Sequence, residues 1–193
     1  MTDITSDSVS ARRNERSRSA IPAASGSASE APEAPSREEL VACVELLFFA
    51  YREFTAGPDA ILDEYGFGRA HHRVLHFVHR NPGLRVADLL DILRITKQSL
   101  ARVLKQLIDQ GFIMQRAGSD DRRVRRLFVT AKGGRLAEKL TSLQVKRIER
   151  ALAEAGKGAN DAARRFLFAM IAESDRPSVE ALIKLPESAA RSR

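Results

Sequence analysis

The order of patterns between residues 86 and 133 constrains the fold more than any other feature of this 193-residue chain. The run VADLLDIL predicts a short helix over 86–93, and RIT over 94–96 predicts a tight turn. A second helix is predicted over 97–110, because apolar residues recur there at helical spacing behind a basic and amide face. Two short helices joined by such a turn are typical of a helix-turn-helix.

A charged hairpin is predicted directly after the second helix. Gly111 is expected to end that helix, because glycine readily adopts the left-handed backbone region that many helix ends need. Strands are then predicted over 112–116 and 127–130, separated by a turn that begins with AGSDD at 117–121. Together with the helices before it, this hairpin predicts a winged helix-turn-helix.

The second helix separates an apolar face from a polar one. Thr96 is its predicted N-cap, with the hydroxyl accepting a hydrogen bond from the amide of Gln98 or Ser99. Lys and Arg side chains can reach guanine acceptors or phosphates, and Gln can both donate and accept at adenine. The polar face therefore predicts contact with double-stranded DNA, although a solvated amphipathic helix would also carry charges. The candidate recognition-helix residues are Thr96, Lys97, Gln98, Ser99, Ala101, Arg102 and Lys105, opposite the apolar Leu100, Val103, Leu104 and Leu107.

The hairpin supplies a second candidate DNA contact. Arginines near its tip can enter an adjacent minor groove, whose negative potential attracts cations where the groove narrows. Asp121 lies two residues before Arg123, so its carboxylate can hold the guanidinium extended toward DNA, or the two can form a purely structural salt bridge. The candidate wing residues are Arg116, Asp121, Arg122, Arg123 and Arg125.

The distribution of charge agrees with this placement. The formal net charge is +7, but residues 1–36 carry −1 and residues 37–93 carry −3. Residues 94–126 carry +6, from nine Lys or Arg against three Asp, and residues 127–193 carry +5. The basic excess is therefore densest on the predicted recognition helix and wing, where a phosphate backbone would require it, although a solvated charged surface is the alternative.

The first predicted helix is apolar on more than one face. Ser36 and Glu39 match a capping box that begins a helix over 37–55. Gly57-Pro58 is expected to interrupt this helix before one further turn ends near Tyr65-Gly66. A helix with so wide an apolar surface needs two packing partners.

Further helices are predicted over 69–80, 135–155 and 160–174, with a short strand over 84–86. Helices around a small winged domain leave apolar surface that a two-fold homodimer would bury, with packing inside one chain as the alternative. The candidate interface residues are Leu40, Val44, Leu47, Phe48, Leu143, Phe166 and Met170.

The predicted fold class is mainly α with a small β-wing. The chain is predicted to consist of a disordered tail (1–36), an N-terminal dimerisation helix (37–66), a winged helix-turn-helix DNA-binding region (67–133), C-terminal dimerisation helices (134–175) and a C-terminal tail (176–193).

The sequences ITKQSLARVLKQL at 95–107 and DRRVRRLFVTAKG at 121–133 resemble the MarR (multiple antibiotic resistance regulator) family. The likeness covers about 37–175, and HHRVLHFVH is similar to a PetP-like subgroup. The resemblance implies a dimeric transcriptional regulator that binds a palindromic operator and is often released by a small-molecule or oxidant effector. The segment GRAHH at 68–72 departs from the family's T-P-x-Q start, so no family ligand pocket is carried over. The family's wing pattern is filled by Asp121, Arg123, Leu127, Val129, Thr130 and Gly133.

Histidine and cysteine suggest two kinds of signal. The spacing of His72, His76 and His79 can present three imidazoles to a divalent metal such as zinc, but no carboxylate partner is identifiable. The alternative is neutral imidazoles that line a dimer crevice or are satisfied by backbone carbonyls. Cys43 is the single thiol and the candidate oxidant sensor, but its apolar helix predicts burial, which lowers thiol reactivity. A zinc- or oxidant-responsive regulator is thus an alternative function, and no cofactor is predicted.

Other classes of protein are disfavoured. The sequence has no G-x-x-x-x-G-K-[ST] phosphate loop, no G-x-S-x-G elbow and no H-E-x-x-H pair, so we do not expect an enzyme. No apolar run approaches the length of a membrane span and residues 1–36 contain no apolar signal core, so a cytoplasmic location is predicted. A winged-helix protein-interaction module with an acidic partner is the other alternative.

Overall fold

The computed structural model describes residues 34–118 and 124–183. The structure is mainly helical with a small antiparallel sheet, which confirms the predicted fold class. In chain order, its elements are α1 (Arg37–Asp63), α2 (Arg69–Arg80), β1 (Leu84–Arg85), α3 (Val86–Leu93), α4 (Lys97–Asp109), β2 (Ile113–Ala117), β3 (Arg125–Val129), α5 (Ala131–Ala155), α6 (Ala159–Ala169), a short 3₁₀ turn (Glu173–Asp175) and α7 (Arg176–Ile183).

The first helix, α1, is continuous, so the interruption predicted at Gly57-Pro58 is wrong. Its start matches the prediction, because Glu39 N donates to Ser36 Oγ at 3.2 Å and Ser36 N donates to Glu39 Oε2 at 2.7 Å. Pro58 cannot donate a backbone hydrogen bond, but Pro58 and Leu62 are both buried and α1 packs against α2 and α5. This burial outweighs the local cost of the proline.

The core lies where α2, α3 and α4 meet the sheet and the first half of α5. Helix α4 contributes the apolar face that the sequence predicts, with Ile95 packed beside it at the turn. The wing is attached to this core through Leu127, which is fully buried at the centre of the sheet. The buried apolar residues are Leu62, Phe67, Val74, Leu75, Val78, Leu89, Leu93, Leu100, Val103, Leu104, Leu107, Phe112, Ile113, Leu127, Leu136, Ala137 and Leu140.

The sheet has the strand order β1-β3-β2, and both pairs of strands are antiparallel. Leu127 on β3 lies opposite Leu84 on β1 and Gln115 on β2. The hairpin is displaced from its predicted bounds, because β2 begins one residue later and β3 begins two residues earlier. The first residue expected in β2, Phe112, instead closes the end of α4.

The start of α5 also differs from the prediction. The helix begins at Ala131 rather than near 135, with Gly133 and Gly134 inside its first turn. Thr130 is the N-cap, and its hydroxyl accepts a hydrogen bond from the Gly133 amide at 3.1 Å. A pair of glycines suggests a break in the helix, but here Gly133 is buried against the backbone of Phe112.

The C-terminal segment is more helical than predicted. Helix α6 ends at Ala169 rather than 174, and residues 176–183 form α7 where a tail was expected. Arg176 explains this connection, because its guanidinium donates to the carbonyl of Ala169 at 2.9 Å and to that of Ile171 at 3.0 Å. These bonds satisfy carbonyl groups that the end of α6 leaves without helical partners.

Within 34–118 and 124–183, no helix combines the length and the apolar character that crossing a lipid bilayer requires.

Candidate nucleic-acid interface

The N-terminus of α4 is fixed by the cap that the sequence predicts. The Ser99 amide donates to Thr96 Oγ1 at 3.1 Å, and the Thr96 hydroxyl donates to Ser99 Oγ at 2.9 Å. These two candidate site residues therefore bond to each other. Their observed role is to fix the first turn of the helix, where an anion would meet the positive end of the helix dipole.

The polar face of α4 is exposed along its length. Lys97, Gln98, Ala101 and Arg102 all lie on this solvent-facing side, as predicted from their spacing. Lys105 is also exposed, but its ammonium pairs with the carboxylate of Asp109 one turn further on. Among the described residues, the cations of this face without a carboxylate partner, Lys97 and Arg102, therefore lie in the first half of the helix.

The C-terminal end of α4 is joined firmly to the wing. Gly111 has φ +74°, and its amide donates to the carbonyl of Ile108 at 2.9 Å. The Phe112 amide donates to the carbonyl of Leu107 at 2.8 Å, which completes a Schellman motif. Because β2 follows at once, this motif sets how the hairpin leaves the helix.

The described part of the wing carries three arginines. Arg116 on β2 lies opposite Arg126 on β3, and Arg125 is exposed one position nearer the tip. The Arg116 guanidinium lies 5.2 Å from the ring centroid of Phe128, which supports its side chain against the sheet. Asp121, Arg122 and Arg123 fall outside the described residues, so the predicted pairing of Asp121 with Arg123 stays a prediction.

The structure reveals a carboxylate partner that sequence reasoning missed. Arg94, in the turn before α4, has its Nη2 2.7 Å from Asp175 Oδ1 in the 3₁₀ turn. Among the described residues, Arg94 is the only non-glycine with a positive φ, at +49°. The pair spans 81 positions, and no local pattern could have indicated it. The positive charge counted over 94–126 is therefore partly matched by carboxylates.

The histidines of α2 differ in their burial and in their neighbours. His72 is buried, and this burial lowers its pKa, with a smaller effect of His76 in the same direction. Burial likewise lowers the pKa of His76, and the nearby Arg80 adds to the shift. Both shifts favour neutral imidazoles. His79 Nε2 lies 3.8 Å from Glu138 Oε2, and residues 34–118 and 124–183 contain no group of three His, Cys, Asp or Glu arranged to hold a metal ion.

The candidate dimer residues share an exposed position in the single chain. Phe48 is 70% exposed, which is unusual for a large apolar side chain. Cys43 is exposed on the same helix, so its predicted burial is wrong for a single chain. The exposed residues include all seven predicted interface positions, Leu40, Val44, Leu47, Phe48, Leu143, Phe166 and Met170.

Comparisons with known proteins agree with this architecture. A model of the MarR family matches residues 65–124, which include the helix-turn-helix. The HTH-type transcriptional regulator PetP of Rhodobacter capsulatus is 48% identical over 134 residues, covering 69% of this chain and 81% of PetP.

Solved structures of low identity share the fold. The crystal structure of MarR has a TM-score of 0.57 at 20% identity, over 77% of this chain and 99% of that one. The S. aureus MepR–DNA complex has a TM-score of 0.53 at 19% identity, over 65% of this chain and 93% of that one. With the closer similarity to PetP, these findings identify the family. The chain belongs to the MarR family of winged helix-turn-helix transcriptional regulators and is not an enzyme.

Proposed function

We propose that the protein binds a palindromic DNA operator as a homodimer, inserting α4 into the major groove and placing the wing beside it, and is released by an effector. The observation that carries this proposal is the exposed face of α4, where Lys97, Gln98 and Arg102 follow a fixed N-cap. The cationic side chains can bind phosphates, and the Gln98 amide and the Arg102 guanidinium can form hydrogen bonds with base edges. The similar fold of MepR in complex with DNA adds support.

The homodimer is supported by the unusual exposure of α1 and α6. Large apolar side chains on these helices, including Phe48 and Phe166, meet solvent in the single chain. A soluble monomer seldom leaves so many exposed together, because burying them stabilises the assembly by about 25 cal/mol per Å². In a two-fold dimer, both copies of α4 would face one side of a duplex and read half-sites about 10 base pairs apart.

Release by an effector requires a binding site for a small molecule. A half-open pocket between α2, α5 and α7, with apolar and polar lining residues, is the candidate place for such a molecule. Its lining residues are His76, Phe77, Arg80, Asn81, Thr141, Leu182 and Ile183.

Substitutions on α4 and on the wing should separate base recognition from phosphate binding. Gln98→Ala and Arg102→Ala should each relax the preference for one base pair, by about 1–3 kcal/mol. Arg123→Ala, in the part of the wing outside the described residues, should weaken binding to all duplexes alike. The measurement is fluorescence anisotropy with a palindrome selected from random DNA, its single-base variants and a scrambled duplex.

The matched control for these substitutions is Lys157→Ala, which removes one exposed cation from the loop between α5 and α6. It should bind like the unchanged protein. Binding should also weaken steeply with salt, with a log–log slope of roughly −0.9 per phosphate contact. Unchanged affinity in all three interface variants would contradict the proposed site, and weak salt dependence would favour the protein-interaction module.

The dimer should dissociate when charge is placed on its proposed interface. Phe48→Glu is expected to convert a dimer into a 21.4 kDa monomer, because a buried carboxylate without a partner is strongly unfavourable. Sedimentation equilibrium gives the mass, and circular dichroism checks that the helices remain. A dimer that persists in both Phe48→Glu and Met170→Glu would show that these faces do not form the interface.

A further inference from the structure

We infer that His71 is a positioning residue for DNA recognition, because its imidazole fixes the rotation of α4 through a hydrogen bond to Gln106. The inference rests on the proposed role of α4 in binding DNA. It concerns two residues that lie outside the candidate contact set. His71 lies in the first turn of α2, Gln106 lies in the last turns of α4, and the two helices pack against each other.

The hydrogen bonds of His71 define which ring nitrogen carries the proton. The Gly68 amide donates to His71 Nδ1 at 3.1 Å, so Nδ1 must be an unprotonated acceptor. A neutral imidazole then carries its proton on Nε2, which lies 2.6 Å from Gln106 Oε1. The imidazole N–H therefore donates to the amide oxygen. Both nitrogens are used, and the ring is buried, with 8% of the residue exposed.

Aromatic contacts hold the imidazole in this orientation. The ring of Phe67 stacks on that of His71 with centroids 4.6 Å apart and planes only 8° from parallel. Phe67 also meets Phe112 edge to face, with centroids 5.2 Å apart. Phe112 closes the end of α4. Phe67 therefore contacts both the imidazole of His71 and the residue that ends the helix. His71 thus presents its N–H to Gln106 from a rigid support.

A directional bond supplies what the apolar face of α4 lacks. Leu100, Leu104 and Leu107 bury their side chains, but apolar contacts have no preferred direction and tolerate small rotations of the helix. Base recognition requires the side chains that contact bases to lie within about 0.5 Å and 10–20° of the geometry that their hydrogen bonds need. Gln106 lies four residues after Arg102, one turn along the same helix. Fixing Gln106 therefore limits how far Arg102 can turn away from its base.

Two substitutions at His71 each preserve one of its two hydrogen bonds and remove the other. In His71→Asn, the short amide can replace Nδ1 as acceptor for Gly68 but cannot reach Gln106. In His71→Gln, the longer amide can replace Nε2 as donor to Gln106. Both variants lose the imidazole stack on Phe67, so each serves as the matched control for the other.

The expected result is a difference in operator preference between these variants. His71→Asn should lose about tenfold of the preference for the selected palindrome over a scrambled duplex, which lies in the lower part of the range for one impaired base contact. His71→Gln should stay within about twofold of the unchanged protein. Adding Gln106→Leu to His71→Asn should cause no further loss, because both changes remove the same bond.

The outcomes distinguish this inference from the proposed function. Equal operator preference in His71→Asn and His71→Gln would overturn the positioning role even if the unchanged protein binds its palindrome. Absence of any DNA binding by the unchanged protein would instead contradict the proposed function. The hydrogen bond itself is tested without DNA by ¹⁵N NMR, which should show a protonated Nε2 whose resonance shifts in Gln106→Leu; an unprotonated Nε2 would also overturn the inference.

Discussion

Replacing Gly133 by alanine should lower the free energy of unfolding by about 3 kcal/mol, the upper part of the usual range for overpacking. An added Cβ would lie far inside van der Waals contact of the Phe112 carbonyl oxygen and 2.9 Å from the carbonyl carbon. Both neighbours are backbone atoms, so no side chain can rotate to make room. The same carbonyl accepts a hydrogen bond from the Thr130 amide at 3.0 Å, and the clash should weaken it.

The neighbouring glycine provides the matched control. Gly134→Ala places its Cβ 3.8 Å from the nearest atoms, in ordinary contact with His79 and Val129. Alanine also favours the helix over glycine, so this variant should be unchanged or slightly more stable. Urea denaturation of the two variants measures the difference. Equal stability would show that the start of α5 can move away from Phe112 without cost.

Phe112→Ala should lower the free energy of unfolding by about 3–5 kcal/mol, the usual cost of removing a buried phenyl ring. Phe112 is 1% exposed, and its ring meets Tyr65 and Phe67 edge to face. The Lys132 ammonium lies 4.1 Å from its centroid. The substitution therefore leaves a cavity and removes contacts that join α4, the α1–α2 connection and α5.

Phe112→Leu is the control for cavity size. Leucine retains much of the buried apolar volume, so it should cost less than half as much as alanine. Thermal or urea unfolding of both variants gives the comparison. If alanine and leucine cost the same, the loss would come from the aromatic contacts rather than from the cavity.

Local patterns predicted much of the fold because the deciding interactions are close in sequence. The helix-turn-helix has its cap at Thr96, its apolar spacing in α4 and its glycine at 111 within sixteen residues of each other. The errors occurred where distant packing overrides a local signal. Pro58 stays helical because α1 is buried there. Gly133 lies inside α5, where the helix packs so closely against the Phe112 backbone that only a residue without a Cβ fits.

The candidate site was predictable only in part, for the same reason. The exposed face of α4 follows from helical periodicity. The pairing of Arg94 with Asp175 and that of His71 with Gln106 join separate elements, and no spacing rule indicates either contact. The exposure of Cys43 was missed because an apolar helix was expected to be covered within its own chain.

Neither α6 nor α7 contains a buried residue. The ion pair between Arg94 and Asp175 joins this end of the chain to the turn before α4, and 73% of the Arg94 side chain is exposed. An exposed pair of this kind contributes little, about 0–1 kcal/mol. In the proposed dimer, the last two helices would therefore become buried mainly during subunit association, so that dilution would loosen them before it affected the DNA-reading core.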